Sequence, residues 1–312
     1  MNTTIQNNSL DCIGNTPLVK LNKVVPERSA NVYLKLEYFN PTGSKKDRMA
    51  LSMIEGAEQK GHLKKGMTVV EFSGGSTGAG LAFVCGVKGY RFRLISSDAF
   101  GKEKLDMMAA LGAELEIIKS KTGKITKEVV RAMVDRAAEI AAEPNTFFTN
   151  QLENTDVIKG FEGLGEEIIR HLDGKTIDAV CDTVGTAGTL SGIAKAFSKS
   201  SHKPLIVALE PASSPVLTTG KSGAHTVEGV GLGFVPHFLK DKNYDKALAI
   251  EESEARKMAK RLAREEGLFC GTSTGMNVVG ALEIAKSLDS SKNVVVVACD
   301  TGLKYLSEGL YL

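Results

Sequence analysis

A chain of 312 residues is long enough for two lobes, each with its own core, lining a shared cleft. With 42% hydrophobic residues, 24% charged residues and a net charge of +2, it lacks the basic excess that binds nucleic acid or anionic membrane. Five cysteines at 12, 85, 181, 270 and 299, without CxxC spacing, and five scattered histidines argue against a disulfide framework and a protein-bound metal.

No apolar run reaches the length of a bilayer crossing, and the start, MNTTIQNNSLDC, is polar where a signal peptide is apolar. The expectation is a cytoplasmic protein acting on small ligands. In chain order, NVYLKLE from 31 predicts a strand, and PTGSKKDR at 41–48 a turn that opens a helix. Ser44 is placed to cap that helix, and Lys46 falls in its first turn. MTVVEF from 67 runs into the turn SGGSTG at 73–78, and RFRLIS from 91 and ELEIIK from 114 follow as strands. A helix is predicted from Thr126 to about Ala142, burying Val129, Val130, Met133 and Ala137 before Pro144 ends it. AVCDTV from 179 leads into VGTAGT at 184–189, and LIVALE from 205 is the next strand. A second amphipathic helix is predicted with Ser253 as cap and Glu254 in its first turn. It places Ala255, Met258, Ala259, Leu262 and Ala263 on one face and stops at Gly267. The turn CGTSTG at 270–275 precedes a last strand, NVVVVAC, from 293. Such alternation predicts an α/β protein with doubly wound, mainly parallel sheets covered by helices, without repeats or a long linker.

The four turns rich in Gly, Ser and Thr each lie between a strand and a helix, where parallel sheets bind ligands and helix amino ends attract anions. None matches the phosphate-loop signature GxxxxGK[ST], and SGGSTGAG gives only a loose echo of a dinucleotide loop. Four together point to an anionic ligand. The helix dipole and neighbouring Lys45 disfavour a further positive charge on Lys46, which would make its amine able to attack an aldehyde.

At these motifs the sequence resembles the cysteine synthase and cystathionine β-synthase family of fold type II pyridoxal-phosphate enzymes. IGNTPLVKL (13–21) resembles the family's N-terminal signature, and KLEYFNPTGSKKDRMA (35–50) the segment with the Schiff-base lysine, mapped onto Lys46. SGGSTG resembles the substrate-carboxylate loop and NQLEN (150–154) the segment with a carboxylate-binding glutamine. VGTAGTLSG (184–192) resembles the phosphate loop, EGVGLGFVP (228–236) the loop covering the cofactor, and ACDTGLKYL (298–306) the pyridine-nitrogen site.

The resemblance implies two domains with pyridoxal 5'-phosphate in the cleft between them: a smaller, mobile substrate-loop domain of 42–148, and a larger phosphate-binding domain of 1–41 and 149–312. Gly185, Thr186, Ala187, Gly188 and Thr189 would hold the phosphate, and Ser76 and Thr301 would face the ring. Ser73, Gly74, Ser76, Thr77, Gln151 and Gly229 would bind the substrate. A neutral hydroxyl at Thr301 favours β-elimination over transamination. Asp300 is the competing ring partner, which the family pattern turns away. The implied reaction is β-replacement on an activated serine, O-acetylserine or similar, by sulfide to give L-cysteine through an aminoacrylate. Lys46 serves as general base. A simple homodimeric synthase is expected, since the sequence carries neither the regulatory extension nor the heme segment of cystathionine-forming relatives.

Three departures bear on the donor. Ser76 stands where the family has asparagine, Gly74 where it has serine, leaving extra room, and Lys45 where a small or aliphatic residue is common. Lys45 is expected to face solvent. Cys270 and Cys299 read as buried packing residues, and His225 and His237 as packing or surface residues. Other β-replacement or cysteine-consuming activities of the family stay open, as do a silent amino-acid sensor and an NAD(P)-dependent oxidoreductase with Asp98 at the ribose.

Overall fold

In chain order the structure, a computed structural model describing residues 5–307 and 309–311, begins with β1 (Leu18–Lys20), β2 (Asn31–Leu36), α1 (Lys46–Gln59), β3 (Thr68–Phe72) and α2 (Ser76–Lys88). It continues with β4 (Arg91–Ser97), α3 (Lys102–Ala110), β5 (Glu114–Ile118), α4 (Lys127–Ala141), β6 (Thr146–Phe148) and α5 (Asp156–His171). Next come β7 (Ala179–Thr183), α6 (Gly188–Ser198), β8 (Leu205–Pro211), α7 (Val216–Thr219) and β9 (Lys246–Ile250). The chain closes with α8 (Glu252–Arg261), α9 (Thr272–Lys286) and β10 (Asn293–Ala298).

These elements form two units, one of residues up to Ile13 with Asn40–Gly160, the other of Gly14–Phe39 with the chain from Phe161 onward. The first holds a parallel four-stranded sheet of order β5-β4-β3-β6. On it α4 lays Val129, Met133, Ala137 and Ile140 against Val70 and Ile95, a stripe spaced at helical period. The second unit holds a six-stranded sheet of order β1-β2-β10-β7-β8-β9, parallel except for the β1–β2 pair. All six residues of β10 are buried, as a central parallel strand covered on both faces requires. Each buried valine there contributes roughly 1.5–3 kcal/mol.

The seven strands read from the sequence are all present. The short strands β1, β6 and β9 were not, because runs of three to five residues carry too little periodicity. α4 starts after Thr126, whose hydroxyl accepts the Val129 N–H, but Val130 is 37% exposed rather than buried. α8 begins at Glu252, ahead of Ser253, and its last turn widens into a π-helical segment, Leu262–Glu266, before Gly267 ends it in the left-handed conformation.

The boundaries differ from those expected. Residues 9–12 join the first unit because their turn packs on α2. Residues 149–160 do so because the Thr149 N–H donates to Val70 O (3.1 Å), Ser52 and Lys60 bond to Asp156, and Gly160 seats closely on the Arg48 carbonyl. From Gly14 onward the signature IGNTPL is a packing device of the second unit. The Asn15 N–H donates to Glu167 (2.9 Å), Lys35 reaches both Glu167 (2.6 Å) and Thr16 O (2.5 Å), and the Thr16 hydroxyl donates to Glu37 (2.6 Å).

Candidate active site

All four hydroxyl- and glycine-rich turns lie at the carboxyl ends of strands or at helix amino ends. Lys46 is the first residue of α1 and is half-buried. Its N–H donates to Ser44 Oγ (3.2 Å), so Ser44 binds the first turn although it is not the capping residue. Asp47 tightens the same turn by accepting the Thr42 N–H (2.7 Å) and hydroxyl. Lys45 is buried, 7% exposed, and does not face solvent. Gly80 lets α2 approach α1 closely: a Cβ there would lie 3.2 Å from both Lys46 O and Asp47 Oδ1. The first unit thereby sets the amino ends of α1 and α2 side by side.

α2 is preceded by the loop 73–75. The Ser73 hydroxyl sits inside it and accepts the N–H groups of Gly75 and Gly78, each at 3.1 Å. The Thr77 hydroxyl donates to Gln151 Oε1 (2.8 Å), and Gln151 Nε2 donates to Phe72 O (3.0 Å). Ser73, Thr77 and Gln151 thus lie together at the start of α2. Gly74 offers no extra room, because a Cβ built on it would overlap the ring of Phe100. That ring occupies the space a side chain at 74 would need.

Beneath this loop lies a residue the sequence reading passed over. Glu71, on β3, is fully buried. It accepts the Phe72 N–H (2.9 Å), the Thr149 hydroxyl (2.7 Å) and the Gln151 N–H (3.0 Å). Burial raises its pKa to about 7, outweighing the three hydrogen bonds, which pull it down. A lone glutamate inside the apolar strand pattern TVVEF, between Val70 and Phe72, was the available signal.

In the second unit β7 ends at Thr183, and the buried loop 184–187 leads into α6. Ala187 has φ 68°, and a Cβ at Gly185 would overlap the carbonyl of Gly229. The Gly231 N–H donates to Val184 O (2.9 Å), which lays the 229–231 segment along this loop. Among the described residues, the N–H groups of Gly185, Thr186 and Ala187 and the hydroxyls of Thr186 and Thr189 have no hydrogen-bond acceptor. A buried, neutral set of five donors at the amino end of a helix suits a phosphate.

Beyond β10, Thr301 pairs with Cys270 and brings CGTSTG beside the end of that strand. The Thr301 hydroxyl accepts the Leu303 N–H (3.3 Å), which leaves its proton for donation. Asp300 Oδ2 accepts the Tyr305 hydroxyl (2.7 Å), so the aspartate is engaged with the chain's own tyrosine. Below both turns is Asn277 of α9, fully buried. It accepts the Thr183 N–H (2.6 Å) and donates to Val297 O (2.7 Å) and Asp182 (2.8 Å). Burial and the nearby Asp300 charge push the Cys270 thiol up, keeping it protonated and unreactive. His225 Nε2 lies 2.9 Å from Gly231 O and braces the 229–231 loop. Among the described residues no three His, Cys, Asp or Glu side chains could hold a metal ion, and no helix is long and apolar enough to cross a membrane.

A family model described as "Pyridoxal-phosphate dependent enzyme" matches residues 10–300. The chain belongs to this family. The match sets aside the dinucleotide reading of SGGSTGAG, and Asp98 instead accepts the Ser120 N–H (2.8 Å). A cysteine synthase of Staphylococcus aureus (strain Mu50 / ATCC 700699) is 41% identical over 305 residues, covering 97% of this chain and 96% of that one. The crystal structure of a cysteine synthase from Entamoeba histolytica superposes with a TM-score of 0.92 at 32% identity, over 100% of this chain and 92% of that one. An O-acetylserine dependent cystathionine β-synthase from Helicobacter pylori superposes with a TM-score of 0.90 at 29% identity, over 99% of this chain and 100% of that one. The family's cofactor fits the residues of the second unit, for the five donors of 185–189 suit a phosphate. The fold is that of the type II pyridoxal-phosphate enzymes, with two α/β units built on mainly parallel sheets.

Proposed function

We propose that this enzyme makes L-cysteine from an activated serine, O-acetylserine or a similar ester, and sulfide. The observation that carries the reading is the neutral donor set of 185–189, which fits the cofactor's phosphate, together with the half-buried Lys46 amine at the start of α1. Bound pyridoxal phosphate supplies an electron sink that acidifies the α-proton of an attached amino acid and lets its β-substituent leave. Lys46 would be the attachment point, and its amine would take the α-proton and return it. The loop 73–78 and Gln151 receive the substrate carboxylate, with N–H groups at the amino end of α2 turned toward the negative charge. Ser76 and Gly229 stand beside the reacting groups, the former with one hydroxyl in place of an amide. Thr301 would donate to the ring nitrogen as a neutral partner, which would limit the sink to elimination and replacement.

The likeness to cysteine synthases over nearly the whole chain supports sulfide as the nucleophile. The O-acetylserine dependent Helicobacter relative favours as second reading the same donor with a thiol amino acid as nucleophile. The same proposal takes the first unit, which contains residues 42–148, as the mobile substrate-loop domain and the second as the phosphate-binding one, working in the cytoplasm as a homodimer. Borohydride reduction of the yellow protein followed by peptide mapping should label Lys46, and Lys46→Ala should abolish the label. A panel of O-acetylserine, phosphoserine and serine with sulfide or homocysteine fixes the pair used. Label on another lysine, or turnover of none of these donors, would overturn the reading.

A further inference from the structure

Resting on the proposed role of the 73–78 loop and Gln151 in holding the substrate carboxylate, we infer that Glu71 is a positioning residue for donor binding, acting through Gln151. The argument is geometric. Gln151 is held at three points. Its side-chain oxygen accepts the Thr77 hydroxyl (2.8 Å), its amide nitrogen donates to Phe72 O (3.0 Å), and its backbone N–H donates to Glu71 (3.0 Å). The same carboxyl accepts the Thr149 hydroxyl, two residues ahead of Gln151 in the chain, and the Phe72 N–H, one residue ahead of the loop. One buried group therefore joins the end of β3, the segment after β6 and the loop that opens α2. Glu71 lies inside the strand and is fully buried, so it cannot touch substrate itself.

Three donors converge on two oxygens that carry no proton of their own in the ionised form. Glu71→Gln keeps the shape but turns an NH2 group toward at least one of those donors, and a buried donor facing a donor leaves both without an acceptor. The strand is fixed by its pairing with β4, so the segment holding Gln151 must give. The Gln151 amide then loses its register with Thr77 and Phe72, and the carboxylate contact weakens while Lys46 and the 185–189 donors are untouched.

The test is a double-mutant cycle read in KM for O-acetylserine and in kcat, with cofactor content measured from absorbance and phosphate content in every variant. Gln151→Ala alone tests the underlying reading: it must raise KM, and if it does not, the assignment of Gln151 fails whatever Glu71 does. Glu71→Gln in the wild-type background is expected to raise KM by about tenfold with kcat within about twofold and full cofactor loading. In the Gln151→Ala background it is expected to raise KM by less than about twofold. Glu71→Asp, which keeps the charge, should fall between wild type and Glu71→Gln; it and Thr149→Val carry the cycle if Glu71→Gln does not accumulate as folded protein. Equal KM penalties in the two backgrounds, or a loss confined to kcat or to cofactor content, would overturn the inference.

Discussion

The buried carboxyl of Glu71 makes a quantitative demand on how stability changes with pH. Its pKa is raised from 4.5 to about 7, with desolvation by burial as the cause that prevails over hydrogen bonds from Thr149, Gln151 and Phe72. The folded state therefore holds this proton more tightly than the unfolded chain does. Below the unfolded pKa both states are protonated and nothing is lost. Between the two values the unfolded chain ionises first, and stability falls as pH rises; above the folded value the loss is complete and constant. A shift of this size corresponds to a full loss of about 3 kcal/mol, most of which falls between pH ~5 and pH ~8. Glu71→Gln has no proton to release and lacks this slope. The assay is urea unfolding of both proteins at the two pH values with saturating cofactor, taking the difference of differences so that all other titrating groups cancel. Wild type should lose stability relative to Glu71→Gln by that amount on going to the higher pH. Parallel curves, or wild type gaining on the variant, would show that the carboxyl is not desolvated as the structure has it.

Three other perturbations have defined outcomes. Gly74→Ser must displace the Phe100 ring, so it should lower the melting temperature by several degrees and raise KM for the donor, and adding Phe100→Ala should restore most of the KM; a neutral Gly74→Ser would mean the ring does not fill that space. Asn277→Ala leaves the Thr183 N–H buried without its acceptor and takes a donor from the Val297 carbonyl and from Asp182, a cost of about 2–4 kcal/mol in thermal or urea unfolding, and should weaken cofactor retention in equilibrium dialysis because Thr183 sets the start of the 184–187 loop. Gly185→Ala, whose methyl would meet the Gly229 carbonyl, should lower cofactor affinity by more than about tenfold with the far-ultraviolet circular dichroism unchanged; full retention would refute the close approach of the two segments.

What the residues disclosed in advance, and what they withheld, divides along a physical line. Strands such as NVVVVA and LIVALEP announce themselves because a buried parallel strand must be apolar on both faces, and the glycine-rich turns because only small residues let backbone amides converge on an anion. Lys46 and the 184–189 loop were legible for that reason: local composition dictates local geometry there. Pairings between residues distant in sequence were not legible. Glu71 and Gln151 are 80 positions apart, and Asn277 and Thr183 are 94 apart, so no periodicity links them. Gly74 shows the same limit from the other side, since a missing side chain reads as space until the packing shows Phe100 filling it. Lys45 is the sharper case, a lysine expected in water yet buried to 7% exposure. Ser44 and Asp47 in the same turn are 1% and 0% exposed, so the turn is buried as a unit and the polarity of one residue in it does not decide that residue's exposure.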